Sequence, residues 1–188
     1  MKKLIFSMHL SLDGFVAGPN GEMDWIRVDE EIFDFVGKLT AQADTALYGR
    51  RTYEMMQAYW PGAGEAPDAS KHDKEHSAWY NNVTKIVLSH TLKAEGLEKT
   101  RVLAGHLSEH IGSLKIGPGK DILVFGSPGA IQSLFREKLV DEYWLFVNPV
   151  ILGAGISLFK DTGTRISMEF ISAQTFSCGV IALHYKVK

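Results

Sequence analysis

The chain has 188 residues, 45% of them hydrophobic and 22% charged, with a formal net charge of −2 at pH 7. This composition is typical of one globular domain, and the balanced charge argues against a nucleic-acid groove or a membrane-binding face. Because the chain has one cysteine, Cys178, and no apolar run near the roughly 20 residues of a membrane span, we expect a single cytoplasmic domain, residues 1–188, without disulfides.

Apolar, β-branched or aromatic runs predict strands along the whole chain, and segments with helical spacing lie between most of them. The predicted strands are residues 4–10, 45–48, 85–88, 101–104, 122–125 and 143–147. The predicted helices carry apolar residues at helical spacing around positions 32–39, 53–59, 107–114 and 131–139. Strands that alternate with helices indicate a largely parallel sheet covered by helices on both faces.

The last part of the chain has a different pattern. Residues 166–175 and 180–188 are two β-rich segments, and Ser177, Cys178 and Gly179 between them are typical of a hairpin turn. We therefore expect the sheet to end in a pair of antiparallel strands. The polar stretch 61–74 predicts an insertion or a mobile loop within the domain.

Three glycine-containing junctions follow predicted strands, where ligands bind in open α/β sheets. A helix that begins near Arg50 presents free N–H groups and a positive dipole end, and the planar guanidinium of arginine suits phosphate. Each junction alone is also compatible with an ordinary turn or a solvated helix cap, but together they predict a crevice for a phosphorylated ligand. The junctions are residues 13–21 (DGFVAGPNG), 49–52 (GRRT) and 126–131 (GSPGAI).

These motifs resemble the dihydrofolate reductase-like superfamily, and most of all the reductase domain of the bacterial riboflavin deaminase-reductase and its stand-alone relatives. The most specific segments are residues 11–14 (SLDG), 49–52 (GRRT), 139–142 (LVDE) and 149–153 (PVILG). The resemblance runs from residue 4 to about residue 160, and the β-rich tail fits the last hairpin of the family. It implies a three-layer α/β fold with a central, mostly parallel sheet, flanking helices and an antiparallel C-terminal hairpin.

The resemblance also implies a homodimer and NADPH as the cofactor. It assigns Gly49, Arg50, Arg51 and Thr52 to cofactor phosphates, and Ser89 to the ribose 2′-phosphate. It assigns Gly126, Ser127, Pro128, Gly129, Ala130 and Ile131 to the pyrophosphate and the nicotinamide ribose, and Ala17 and Gly18 to the nicotinamide edge. His90 stands where many relatives carry arginine, which weakens the expected preference for NADPH over NADH.

The implied reaction is hydride transfer to a C=N or C=O carbon of a small, heterocyclic or carbonyl substrate. A carboxylate in apolar surroundings can manage the accompanying proton, because burial raises its pKa. Glu30 aligns with the acid of dihydrofolate reductases, although it also suits the N-terminus of a helix. Asp13 lies in the turn that borders the substrate in riboflavin-type relatives.

Two other functions remain open at this point. One is reduction of 5-amino-6-(5-phosphoribosylamino)uracil in riboflavin biosynthesis, although no extra basic cluster for a second phosphate is evident. The other is nucleotide binding without catalysis. The deaminase reaction is excluded, because one cysteine cannot form its zinc site.

Two further groups of residues have alternative interpretations. Residues 72–76 (HDKEH) match an inverted zinc-protease motif, but their polar context favours a solvated helix without a metal. The aromatic residues in and after the second predicted helix either belong to the core or form the wall of a pocket for a flat substrate. They are Tyr53, Tyr59, Trp60 and Trp79.

Overall fold

Eight strands form the central sheet of the computed structural model, which describes residues 1–160, 163 and 165–188. The strands are β1 (Leu4–Ser11), β2 (Phe15–Ala17), β3 (Ala43–Gly49), β4 (Thr84–Leu88), β5 (Thr100–Leu103), β6 (Asp121–Phe125), β7 (Glu142–Asn148), β8 (Ile156–Ser157), β9 (Met168–Thr175) and β10 (Ile181–Val187). The helices are α1 (Glu30–Ala41), α2 (Arg50–Ala63), α3 (Lys71–Asn82), α4 (Leu107–Ile116) and α5 (Pro128–Arg136). Within the described ranges, no helix is long and apolar enough to cross a membrane.

The order of strands in the central sheet is β5-β4-β3-β6-β1-β7-β10-β9, and β2 pairs with β8 in a separate small sheet. The six strands from β5 to β7 run parallel, and β10 and β9 complete the sheet as antiparallel strands. Leu4 and Phe6 pack with α4 and α5 on one face, whereas Ile5 packs with α1 on the other. Burial on both faces explains the continuous apolar runs, and the predicted three-layer architecture is confirmed.

The C-terminal hairpin also forms as predicted. Gly179 has a φ of +87°, a conformation that glycine adopts without steric cost. Its N–H donates to the carbonyl of Phe176, and the N–H of Phe176 donates to the carbonyl of Val180. These backbone hydrogen bonds close the turn between β9 and β10.

The prediction of a loop over residues 61–74 is wrong at both of its ends. Helix α2 continues to Ala63, and α3 begins at Lys71. A capping box starts α3, because the side chains of Ser70 and Asp73 each accept a backbone N–H from the other residue. The buried face of α3 carries polar and amphipathic residue types, so apolar periodicity does not reveal this helix. These residues are His76, Ser77 and Tyr80.

The parallel strands of the sheet end at different points along one edge. Strand β6 ends at Phe125, which lies opposite Ser7 in the register of β1. Strand β1 continues beyond that point to Ser11 and pairs there with β7. The early end of β6 therefore leaves a step in the edge of the sheet beside the last residues of β1.

Gly155 provides a test of how closely β8 packs on β2. A Cβ atom on Gly155 would overlap the carbonyl oxygen of Ala17, which belongs to the fixed backbone of β2. We expect Gly155→Ala to lower the free energy of unfolding by about 1–3 kcal/mol, because the backbone must move to relieve the overlap.

The matched control is Gly112→Ala in α4, where an added Cβ would meet open space. We expect the free energy of unfolding of that variant to rise by up to about 1 kcal/mol, since alanine is favoured over glycine inside a helix. Urea unfolding measures both changes. A Gly155→Ala protein as stable as the wild type would contradict the close packing of the small sheet.

Candidate active site

A cavity of about 450 Å³ lies at the step in the sheet edge. It is lined by residues of β1 and β6, of α1, α2 and α3, and of the loop that follows β2. Most of the lining side chains are apolar, and the flexible thioethers of its methionines can adapt to the shape of a ligand. The lining includes Met8, Met23, Met55, Met56, Phe33 and Trp60.

Two helices begin beside this cavity with their N-termini close together. Helix α2 begins at Arg50 and α5 at Pro128, and neither start has a side-chain cap. The N–H of Gly49 donates to Ser127 Oγ at 2.8 Å, a bond that joins the two junctions. Gly126 and Ser127 have φ values of +58° and +63°, and this left-handed backbone leads from β6 into α5. The space between residues 49–52 and 126–130, here called the helix-end groove, therefore offers free N–H groups and two positive dipole ends to an anion.

The two arginines at the start of α2 have different surroundings. Arg50 Nε donates to Glu54 Oε1 at 2.7 Å, and its Nη1 donates to Thr91 Oγ1 at 2.7 Å. These contacts use two of the five N–H groups of the guanidinium, so the side chain can still bind a phosphate. Arg51 and Thr52 line the cavity.

A second depression, of about 520 Å³, runs along α5 beside the ends of β4 and β5. Ser89 and His90 line it from the loop after β4, and Arg136 lines it from α5. Ser89 Oγ accepts the N–H groups of Thr91 and Leu92 and thereby stabilises the loop. The hydroxyl proton of Ser89 remains available to a ligand, because Oγ acts as the acceptor in both bonds.

The structure brings most of the residues predicted to bind the cofactor to this region. Ala17 lines the cavity, and Gly18 follows it in the chain and is buried. Gly129 and Ala130, at the start of α5, line the second depression. Ile131 differs from the others, because its side chain lies in the core and its N–H donates to the carbonyl of Ser127 within the first turn of α5.

Neither candidate acid lies in the cavity. Asp13 is exposed, and its carboxylate accepts hydrogen bonds from Ser11 Oγ and from the N–H groups of Leu152 and Gly153. These bonds, the one from Ser11 first, hold the pKa of Asp13 below its usual range. Glu30 is exposed in the first turn of α1. This placement corrects the expectation of an acid in apolar surroundings, since none of the described residues that line the cavity is Asp or Glu.

Three histidines line the cavity instead: His9 from β1, and His72 and His76 from α3. Burial lowers the pKa of His9 to about 4 and that of His76 to about 3, and it also lowers the pKa of His72. All three imidazoles are therefore neutral at pH 7. His9 stacks on Phe146 with the ring centroids 4.8 Å apart, and His72 stacks on Phe33 at 4.0 Å.

The two histidines of the HDKEH motif, His72 and His76, thus belong to the cavity wall, which corrects the expectation of a solvated helix, whereas Lys74 and Glu75 are exposed. His76 is 8% exposed, and its ring centroid lies 4.0 Å from that of Trp60. In the part of the chain that the structure describes, no group of three or more His, Cys, Asp or Glu residues is arranged to hold a metal ion. The sequence left open whether three other aromatic residues belong to the core or to a pocket wall. Tyr53 and Trp79 pack in the core, and Tyr59 is exposed.

The chain matches the RibD C-terminal domain family over residues 2–182. It is 34% identical over 186 residues to YyaP, an uncharacterized protein of Bacillus subtilis (strain 168), and this match covers 98% of the chain and 94% of YyaP.

Solved structures share its fold. A protein of Shewanella sp. PV-4 that is named for riboflavin biosynthesis has a TM-score of 0.74 at 24% identity, covering 99% of both chains. The dihydrofolate reductase of Enterococcus faecalis complexed with NADP(H) has a TM-score of 0.63 at 16% identity, covering 99% of this chain and 96% of that one. These likenesses confirm the predicted dihydrofolate reductase-like fold.

Neutral, buried histidines make the stability of the protein depend on pH. A histidine of the unfolded chain takes up a proton below about pH 6.5, whereas His9 and His76 do so near pH 4 and pH 3 in the folded state. In this window the unfolded state binds more protons, so the free energy of unfolding falls as the pH falls. We expect His76 alone to account for a loss of about 2 kcal/mol between pH 7 and pH 5.

His76→Phe removes the titratable group and keeps a ring against Trp60. Urea unfolding at pH 7 and pH 5 measures the fall in the free energy of unfolding between the two pH values. This fall should be about 2 kcal/mol smaller in the variant than in the wild type. Measurements at pH 8, where histidine is neutral in both states, isolate the packing effect of the substitution. An equal loss in both proteins would contradict the burial of a neutral imidazole at this position.

Proposed function

Because the chain belongs to the RibD C-terminal domain family, we propose that it is an NADPH-dependent reductase that transfers a hydride to a C=N or C=O carbon of a small substrate. The observation that carries this proposal is the pair of uncapped helix N-termini next to an apolar cavity. A charged groove beside an uncharged cavity suits a ligand with phosphates at one end and a flat ring at the other. The proposal includes a single domain over residues 1–188 and a cytoplasmic location.

The residues of the helix-end groove fit the phosphates of a dinucleotide. The bond from Gly49 to Ser127 Oγ leaves the next N–H groups of α2 and α5 for a ligand, with Arg50 and Arg51 beside them. Ser89 and Arg136 would hold the adenosine end in the second depression, where a hydroxyl and a cation suit a ribose phosphate. The backbone at Ala17 would meet the nicotinamide.

The reduced nicotinamide supplies a hydride when it is bound, and the residues of the chain provide the surroundings for the transfer. The apolar side chains of the cavity exclude water from the reacting atoms, which strengthens every polar contact made there. Asp13 and Glu30 stay outside these walls, so we assign the handling of the proton to neither of them.

The two alternatives differ in how well the cavity supports them. Reduction of a phosphoribosyl substrate needs a second phosphate site, but Arg51 is the single Lys or Arg among the described lining residues. Nucleotide binding without catalysis is favoured by the absence of a carboxylate from that same lining. Oxidation of NADPH in the presence of a panel of carbonyl and imine substrates separates the reductase from the binding protein.

We expect NADPH to raise the melting temperature of the protein, and to do so more than NADH at equal concentration. Arg50→Ala should weaken NADPH binding by roughly 10- to 100-fold, the usual effect of removing an arginine–phosphate contact. Lys38→Ala is the control for the loss of one positive charge, because Lys38 lies in the last turn of α1. Thermal-shift and calorimetric titrations measure both effects. The cofactor assignment fails if millimolar NADPH produces no shift, or if Arg50→Ala binds as tightly as Lys38→Ala.

We also propose a homodimer formed through the outer strand of the C-terminal hairpin. Strand β9 is the edge of the central sheet, and Phe170 and Ile171 on it are 58% and 46% exposed. Apolar side chains on an exposed edge strand are typical of a surface that another chain covers.

Light scattering coupled to gel filtration should give the mass of a dimer for the wild type. Phe170→Lys should shift the protein toward the monomer, because it places a charge in the proposed interface. Ile116→Lys, at a position in α4 that is 78% exposed, should leave the dimer intact. A monomeric wild-type protein would contradict the proposal.

A further inference from the structure

The polar groups of the cavity are almost all uncharged. The described lining residues include no Asp or Glu and one permanent cation, Arg51, which the proposed function assigns to the cofactor. The remaining nitrogen-bearing side chains are the indole of Trp60 and the imidazoles of His9, His72 and His76. A charged substrate group would therefore be buried here without a partner, at a cost of several kcal/mol.

Asn148 determines which nitrogen of His9 carries the proton. Asn148 is fully buried, and its Oδ1 accepts the backbone N–H of Arg27 at 2.8 Å, which fixes the orientation of the amide. The Nδ2 group then faces three acceptors: His9 Nδ1 at 3.2 Å and the carbonyls of Phe146 at 3.1 Å and Leu10 at 3.4 Å. Because Nδ2 is a donor, His9 Nδ1 must be the acceptor. Neutral His9 therefore carries its proton on Nε2.

The Nε2–H group of His9 has no hydrogen-bond partner among the described residues, and it is not completely buried. Because His9 lines the cavity, a ligand there can reach this group. Two contacts hold the ring, because Asn148 binds Nδ1 and Phe146 stacks on one face of the imidazole. His9 thus presents a donor of fixed direction to whatever enters the cavity.

We propose that His9 Nε2–H donates a hydrogen bond to the substrate. The substrate is a flat, uncharged molecule that presents a carbonyl oxygen or ring nitrogen as the acceptor and carries no phosphate. This inference rests on the proposed reductase function and names the substrate class of that site. The hydrogen bond orients the acceptor and polarises the C=O or C=N bond, a role that a neutral imidazole can fill without giving up its proton.

The shape of the walls supports a flat ligand. Phe33 and His72 form a stacked pair with 12° between their planes, and Trp60 packs edge-on to His72 at a centroid distance of 5.5 Å. Aromatic faces of this kind bind planar rings by offset stacking or edge-to-face contact. A cavity of about 450 Å³ has room for a molecule of two or three fused rings beside a cofactor ring.

Nuclear magnetic resonance of the ¹⁵N-labelled wild-type protein tests the direction of the donor without any substitution. We expect the imidazole spectrum of His9 to show the Nε2–H tautomer at pH 7, and His9→Gln identifies its signals by their loss. A proton on Nδ1 would overturn the assignment. The spectrum requires neither cofactor nor substrate.

Three probes of matched shape test the ligand class, with the Trp60 indole N–H signal as the readout in the cavity. Isoquinoline and naphthalene differ by one acceptor nitrogen, and at pH 8 both are uncharged. We expect the wild type to bind isoquinoline about 3- to 10-fold more tightly, the usual effect of one net hydrogen bond. A lack of preference would contradict the proposed donor. 1-Naphthyl phosphate is added in the presence of excess pyrophosphate, which competes for the helix-end groove. We then expect it not to shift the Trp60 signal, and a shift at lower concentration than isoquinoline requires would contradict an uncharged substrate.

Two variants connect the preference to His9. His9→Phe keeps a ring on Phe146 and removes the donor, so the preference for isoquinoline should disappear. His9→Gln keeps an N–H donor, so part of the preference for isoquinoline should remain. Preference that survives His9→Phe would overturn the proposal. These measurements do not involve NADPH, so they fail or succeed independently of the cofactor titrations that test the reductase.

Discussion

The unequal length of neighbouring parallel strands is the constraint on which the rest of this structure depends. Strand β6 ends at Phe125, opposite Ser7, whereas β1 continues to Ser11 with β7 as its partner. The N–H of Gly126 still donates to the carbonyl of Ser7 at 3.4 Å, so the backbone remains paired up to the point where the chain turns away. The step places the start of α5 and the side chain of His9 at the same edge of the sheet. The helix-end groove and the apolar cavity both result from it.

Charge is distributed unequally between these two neighbouring spaces. The groove combines two helix N-termini with Arg50 and Arg51, and the bond from Gly49 to Ser127 keeps those helix ends together. In the cavity, burial keeps the imidazoles neutral. This separation matches the two needs of the proposed reaction, since phosphates require positive potential and a reacting C=O or C=N bond requires surroundings without water.

The sequence predicted most of the fold because the strands are buried on both faces and therefore form continuous apolar runs. It also located the three junctions, since Gly49 and Gly126 mark the ends of such runs. It favoured a helix at residues 72–76 but did not give the bounds of α3 or its burial, because the buried face of that helix carries His76 and Ser77, which break the apolar periodicity. Asp13 could not be placed either, since its bonds to Leu152 and Gly153 join positions about 140 residues apart, and motif matching does not reveal such contacts.

The sequence by itself determined the α/β class, the alternation of most strands and helices, the hairpin at the end and the glycine junctions that form the helix-end groove. These features depend on local patterns, namely the periodicity of apolar residues and the turn chemistry of glycine. Only the tertiary structure decided that acids stay outside the cavity and that histidines line it. The protonation of His9 is set by Asn148, a residue on a neighbouring strand, and the low pKa of His76 comes from burial against α2 and β6. Such properties arise from contacts between distant parts of the chain, so they exist only once the chain has folded.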